Sequence, residues 1–187
     1  MSITYKQALE KTKSMIDNPN LFKHCLAVAQ AMYYYAKNIY NLPEEQALKW
    51  KIAGILHDAD WEKHPDKHPQ IIVEWLKQNN VDSDIINAVA SHGPEFTEQP
   101  KTLMAKAIRA IDEVTGFIIA VALVRGKKLS DLTIKSIKKK WKDKSFARGV
   151  NRQFIEQATK ELNIPLEEHF QNVLNAMIEI KEELGLA

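Results

Sequence analysis

Apolar residues recur three and four apart along nearly the whole of this sequence, and no stretch alternates strictly between apolar and polar positions. That pattern belongs to amphipathic helices and excludes half-buried strands. Six glycines and seven prolines fall mostly between the periodic segments and act as punctuation. The spacing predicts helices over Thr4–Ile16, Leu21–Tyr40, Pro43–His57, Pro69–Gln78, Asp82–His92, Thr102–Val124, Ile134–Trp141, Val150–Leu162 and Leu166–Leu184. Asn18-Pro19-Asn20 separates the first two. Pro43 followed by Glu44 and Glu45 sets a proline in a first turn and acids against a helix dipole. Ala59–Lys67 reads as a polar loop, and Gly93-Pro94 as a helix break. The expected architecture is an all-α bundle forming one domain over residues 1–187, with a core at 20–125 and a C-terminal helical extension at 126–187.

Composition narrows the function classes. A chain of 187 residues that is 45% hydrophobic can bury a core without staples. The single cysteine, Cys25, excludes an intramolecular disulfide and a multi-cysteine zinc site. The longest apolar run, Val114–Val124, is too short for a bilayer. The N-terminus lacks a basic segment followed by an apolar one. The expectation is a cytoplasmic protein without a membrane partner. There is no phosphate-cradling glycine loop, dinucleotide fingerprint, H-E-x-x-H pair or G-x-S-x-G elbow. Cys25 sits about 100° around a helix from His24, so the two do not form a nucleophile–base pair. The net charge of +2 divides unevenly: residues 125–152 hold eleven Lys or Arg and two Asp, a local +9. Such a segment suits either a phosphate-bearing partner or a solvated lysine face.

Five of the six histidines (His24, His57, His64, His68, His92 and His169) lie between positions 24 and 92. His24 borders the stripe of Leu21 and Val28. His57 follows Ala53 by four, and His92 follows Val89 by three. Asp58 follows Gly54 by four, and Gly54 allows another helix to approach closely. Asp112 shares a face with Ile108, Thr115 and Ile119. Carboxylates on inward faces need compensation. Imidazoles on several other inward faces point to a metal ion: iron, manganese, cobalt, nickel or zinc. Helical folds build such sites from ligands on facing helices.

The ordered set of His24, His57-Asp58 within LHDAD, His92 in ASHG and Asp112 in RAIDEVTG resembles the HD superfamily of metal-dependent phosphohydrolases. The likeness covers residues 20–125 and includes HCLAVAQAM and AGILHDADWE. The extension SIKKKWKDKSFARGVNR looks like that of a subgroup of uncharacterised HD hydrolases. The resemblance implies an all-α HD-domain helical bundle. His24, His57, Asp58 and Asp112 match its minimal metal set. His68 and His92 match the additional histidines of two-metal members, with Asp58 bridging. Pro69 stands after His68 where relatives often carry a small residue.

Two divalent ions offset by Asp58 and Asp112 favour an anionic ester, and metal binding brings the pKa of water from about 15.7 to around 7. The resulting expectation is hydrolysis of a phosphoester or phosphoanhydride, of a nucleotide or small phosphorylated metabolite, with one or two divalent transition ions as cofactor. Asp60 and Glu62 are read as catalytic carboxylates that orient the nucleophile or carry a proton, or else as plain loop acids. Arg109, three residues before Asp112, is read as a phosphate ligand or a surface ion-pair partner. Two rival readings remain: a di-iron oxygenase built from the same ligands, and a nucleic-acid-binding module. The second would use the lysines of residues 125–152 with Trp141 and Phe146 on bases.

Overall fold

The computed structural model of the chain describes residues 3–93, 96, 98–126 and 128–187. Among these are ten α-helices and no strand. They are α1 (Tyr5–Met15), α2 (Pro19–Tyr34), α3 (Glu44–Leu56), α4 (Gln70–Gln78), α5 (Ser83–Ala90), α6 (Leu103–Val124), α7 (Ile134–Lys142), α8 (Arg152–Glu161), α9 (Leu166–Ile178) and α10 (Lys181–Leu184). Pro94, expected to break the fifth helix, and Lys127 of the basic segment lie outside the described residues.

Local chemistry sets the helix starts. Thr4 and Gln7 form a reciprocal capping box on α1. The Asn18 side chain accepts from the backbone of Asn20 and Leu21, with Pro19 as first helical residue of α2. Asp82 caps α5, Thr102 caps α6 and Thr133 caps α7.

Two predicted helices differ from the observed ones. The second ends in a π turn, Tyr35–Ile39. A period of three and four does not register the extra residue of such a turn. Here it carries the fully buried Tyr35, whose hydroxyl reaches His169. The last helix breaks after Ile178, and α10 ends at Gly185 in a left-handed conformation with φ 69°. The turn brings Leu186 back, and its carbonyl accepts from Leu129 N–H.

α2 and α3 form the closest pair, with α1 against α3. Their contact is at Gly54, where a Cβ would stand 2.6 Å from Ala29 Cα. The close approach expected at this glycine is therefore real. α6 is the central helix, buried along Ala105, Ile108, Ile111, Val114, Phe117, Ile118 and Val121. It packs against α2, α5, α8 and α9. No helix among the described residues is long and apolar enough to cross a membrane.

The extension packs onto α6 through an aromatic cluster. Trp141 meets Phe117 at 5.1 Å and Phe170 at 5.0 Å between ring centres, and Phe146 meets Phe117 at 5.8 Å. Trp141 is buried and donates to Glu156. The expected place of Trp141 on bases is thus corrected: the ring is a buried anchor of the extension, with the half-buried Phe146 packed beside it. Arg152 lies over Phe117 and Trp141 and donates to the carbonyls of Trp141, Asp143 and Phe146. It thereby pins the loop that returns toward α6.

Candidate metal centre

Five segments deliver the six residues of the expected ligand set. His24 lies in the second turn of α2. His57 is the C-terminal cap of α3, and Asp58 follows in the turn. His68 precedes α4, His92 follows α5, and Asp112 sits midway along α6. The fold brings all six together.

They form two halves that share Asp58. In the first, His24 Nε2 is 2.9 Å from Asp112 Oδ1 and 3.6 Å from Asp58 Oδ2. His57 Nε2 is 3.4 Å from both of those oxygens. In the second, His68 Nε2 and His92 Nε2 stand 3.2 Å and 3.4 Å from Asp58 Oδ1. Asp58 therefore turns one oxygen to each pair of histidines. His24, His57 and Asp58 form one group able to hold a metal ion, and Asp58, His68 and His92 another.

The outer nitrogens decide what the inner ones present. His57 Nδ1 is 2.8 Å from the Gly54 carbonyl, and His92 Nδ1 is 2.6 Å from the Val89 carbonyl. A carbonyl only accepts, so both Nδ1 atoms carry hydrogen. His68 Nδ1 donates to Asp60 Oδ1 at 2.6 Å. His24 Nδ1 lies 3.2 Å from the Thr115 hydroxyl, which itself donates to the Asp112 carbonyl and so accepts from the imidazole. In its neutral form each of the four rings therefore aims an Nε2 lone pair inward. The Nε2 atoms of His24 and His57 are 3.2 Å apart, as are those of His68 and His92. Lone pairs held that close, beside carboxylate oxygens, fit a shared cation, and the outer bonds are those that orient metal-binding imidazoles.

A match to the HD domain family spans residues 21–116. The chain belongs to the HD domain family. No curated protein and no solved structure matches it. The all-α architecture is that of the HD fold, and the matched span runs from α2 to the middle of α6.

The electrostatics of the HD centre favour positive charge. Burial disfavours charge on His57, but the Asp58 and Asp112 carboxylates outweigh it and hold the imidazole well above its ordinary pKa. Burial opposes ionisation of Asp58 too, yet His57 and the bonds from His57, His68 and His92 hold it well below the carboxylate range. Asp112 is likewise lowered against burial, by His57 and His24. His68 is raised to about 9, with Asp58 and Asp60 overcoming burial. Burial pushes the Cys25 thiol up to about 12, which leaves it a buried apolar residue and no nucleophile.

The centre opens into a cleft of about 440 Å³, with His24, Asp58 and Asp112 among its lining residues. Gly116 of α6 lines it too, and a Cβ there would meet nothing within 4 Å. Gly149, Val150 and Phe154 of the extension complete a wall. Two contacts of α6 hold that wall: Glu113 accepts from Asn151 N–H, and the Arg109 guanidinium lies 4.7 Å from the Phe154 ring centre. Lys135, Lys139, Lys142 and Lys144 are exposed.

Three expectations about site residues are corrected. Asp60 is fully buried, accepting from His68 on one oxygen and from Ile72 N–H on the other. With both oxygens so engaged, it positions His68. Glu62 accepts from the backbone of Asp17 and Asn18, fastening the α1–α2 turn. Arg109 donates to the carbonyls of Ser91 and Gly93, which fixes the backbone around His92. His169 lies apart from the centre, buried between Tyr35 and the Ala110 carbonyl. Sequence reading missed Thr115 as the partner of His24, and the part of Trp61 and the 149–154 segment in the cleft. The inward face that Thr115 shares with Asp112 was the available signal for the first.

Proposed function

We propose that the protein is a metal-dependent phosphohydrolase acting on a phosphoester or phosphoanhydride of a nucleotide or small phosphorylated metabolite. The observation that carries this reading is the position of Asp58 between two histidine pairs whose lone pairs face inward. His24, His57, Asp112 and Asp58 Oδ2 would hold one divalent ion, and His68, His92 and Asp58 Oδ1 a second. Once bound, such ions supply Lewis acidity toward a phosphoryl oxygen and bring water within reach of deprotonation near neutral pH.

The chain's own residues do the rest. Asp60, Thr115 and the carbonyls of Gly54 and Val89 hold the imidazoles in orientation and tautomer. Asp58 and Asp112 stay ionised and set the charge of the centre. The bare backbone face at Gly116 leaves room beside Asp112 for a phosphoryl group. Val150 and Phe154 line the cleft on the side of the extension.

The test is phosphate release from nucleotides and sugar phosphates by protein loaded with manganese, cobalt, nickel, iron or zinc. Metal-dependent release, abolished in Asp58→Ala, is the expected result. Absence of release with every metal, or oxygen uptake on a substrate without phosphate release, contradicts the reading.

A further inference from the structure

Trp61 is 47% exposed, whereas Trp50 and Trp141 are 3% and 8% exposed. It follows directly on Asp60 in the turn after α3, and its indole stands edge-on to His68 with 5.3 Å between ring centres. No other ring among the described residues packs on it. Trp61 and His68 line the metal cleft and also a second cleft of about 580 Å³ on the far side of His68. Val73, Ala90, Pro69 and Phe96 give that second cleft an apolar lining, and Gln70 and Lys77 give it donors. Phe96 packs on His68 and His92 at 5.4 Å and 4.8 Å, so the apolar lining begins where the second histidine pair ends. One imidazole therefore separates the carboxylate of Asp58 from an exposed indole, a step that a sugar or short alcohol spans.

We propose that Trp61 is the stacking platform for a planar aromatic group of the substrate, held in the second cleft while the phosphate lies over Asp58. This rests on the phosphohydrolase reading and adds where the rest of the substrate goes. An exposed indole beside an apolar recess gains most from a flat, polarisable partner, and such stacking is worth about tenfold in affinity or more. A cationic head group is the other natural partner of an indole face. Lys77 in the lining opposes it, and Glu98, the acid there, is already paired with Lys101. Trp61 is on this account a specificity residue, separate from the ligand set.

The experiment uses manganese-loaded protein, wild type and Trp61→Ala, with Trp61→Phe as the conservative variant. Calorimetry measures binding of adenosine monophosphate, ribose phosphate, phosphocholine and adenosine, and indole fluorescence is followed in parallel. The proposal expects adenosine monophosphate to bind about tenfold more tightly than ribose phosphate. That advantage is lost in Trp61→Ala and kept in Trp61→Phe, while ribose phosphate binds all three alike. Adenosine quenches wild-type fluorescence and not that of Trp61→Phe. Equal affinity for the two phosphates, an advantage that survives Trp61→Ala, or tighter binding of phosphocholine overturns the proposal. Quenching by adenosine with no metal-dependent binding of any phosphate ester supports the aromatic subsite and counts against the phosphohydrolase reading instead.

Discussion

Replacing Gly54 with alanine sets two opposed effects against each other, and the structure decides between them. Alanine is a better helix former than glycine by about 1 kcal/mol, so propensity alone predicts a more stable protein. The new methyl carbon would lie 2.6 Å from Ala29 Cα and 2.8 Å from Ala29 N, where ordinary contacts are 3.4–4 Å. Both opposing atoms are backbone, so no rotamer change relieves the clash, and α2 and α3 must part by about 1 Å. Overpacking of this kind costs about 1–3 kcal/mol, and more where backbone must move. The expected net loss is about 2 kcal/mol, a fall in Tm of about 4–8 °C for a domain of this size. The same displacement separates His24 on α2 from His57 and Asp58 at the end of α3, so affinity for metal falls as well. Thermal denaturation followed by circular dichroism, with and without manganese, measures both. A Tm equal to or above that of wild type would refute the argument that close helix approach at Gly54 builds the site.

Asp60→Ala removes the acceptor of His68 Nδ1–H and of Ile72 N–H. Metal titration should show about a 10–100-fold loss of affinity at the His68–His92 half and little change at the other; equal weakening of both halves would contradict the positioning role. Gly116→Ala should stabilise α6 by about 0.5–1 kcal/mol while lowering turnover, because its methyl group enters open cleft space; destabilisation in urea would show that the space is not open. Burial holds His169 at about 4, below its ordinary value of 6.5. The unfolded chain takes up a proton between those values that the folded one refuses, so the contribution of His169 is full above pH 6.5 and is lost as pH drops toward 4, by about 3 kcal/mol in all. His57 and His68, raised in the fold, are charged in both states below pH 6.5 and add no slope there. Urea midpoints of metal-free wild type and His169→Gln across this window should diverge in slope; parallel curves would refute the assignment.

The helices were legible because their starts are local. Thr4, Asn18, Asp82 and Thr102 cap with groups two or three residues away. His24, His57, Asp58, His92 and Asp112 were legible because each lies on or beside the apolar stripe of its own helix, whereas His68, which precedes α4, was named only through the family resemblance. The roles of Asp60, Glu62 and Arg109 were not, since each is set by a contact across the fold. Glu62 meets residues 44 and 45 positions away, and Arg109 meets a carbonyl 18 positions away. The cleft wall at Gly149–Phe154 was beyond reach for the same reason: contacts across the fold, among them those of Arg109 and Glu113, bring it there. The nucleic-acid reading set Trp141 on bases, because periodicity reports a face and not what covers it.

The central claim is that distant helices converge their imidazoles and acids on one ionic centre. Anomalous diffraction from crystals of manganese-loaded protein tests it most directly. The account predicts two peaks flanking Asp58, one among His24, His57 and Asp112 and the other between His68 and His92. Peaks elsewhere, or none at Asp58, would contradict it.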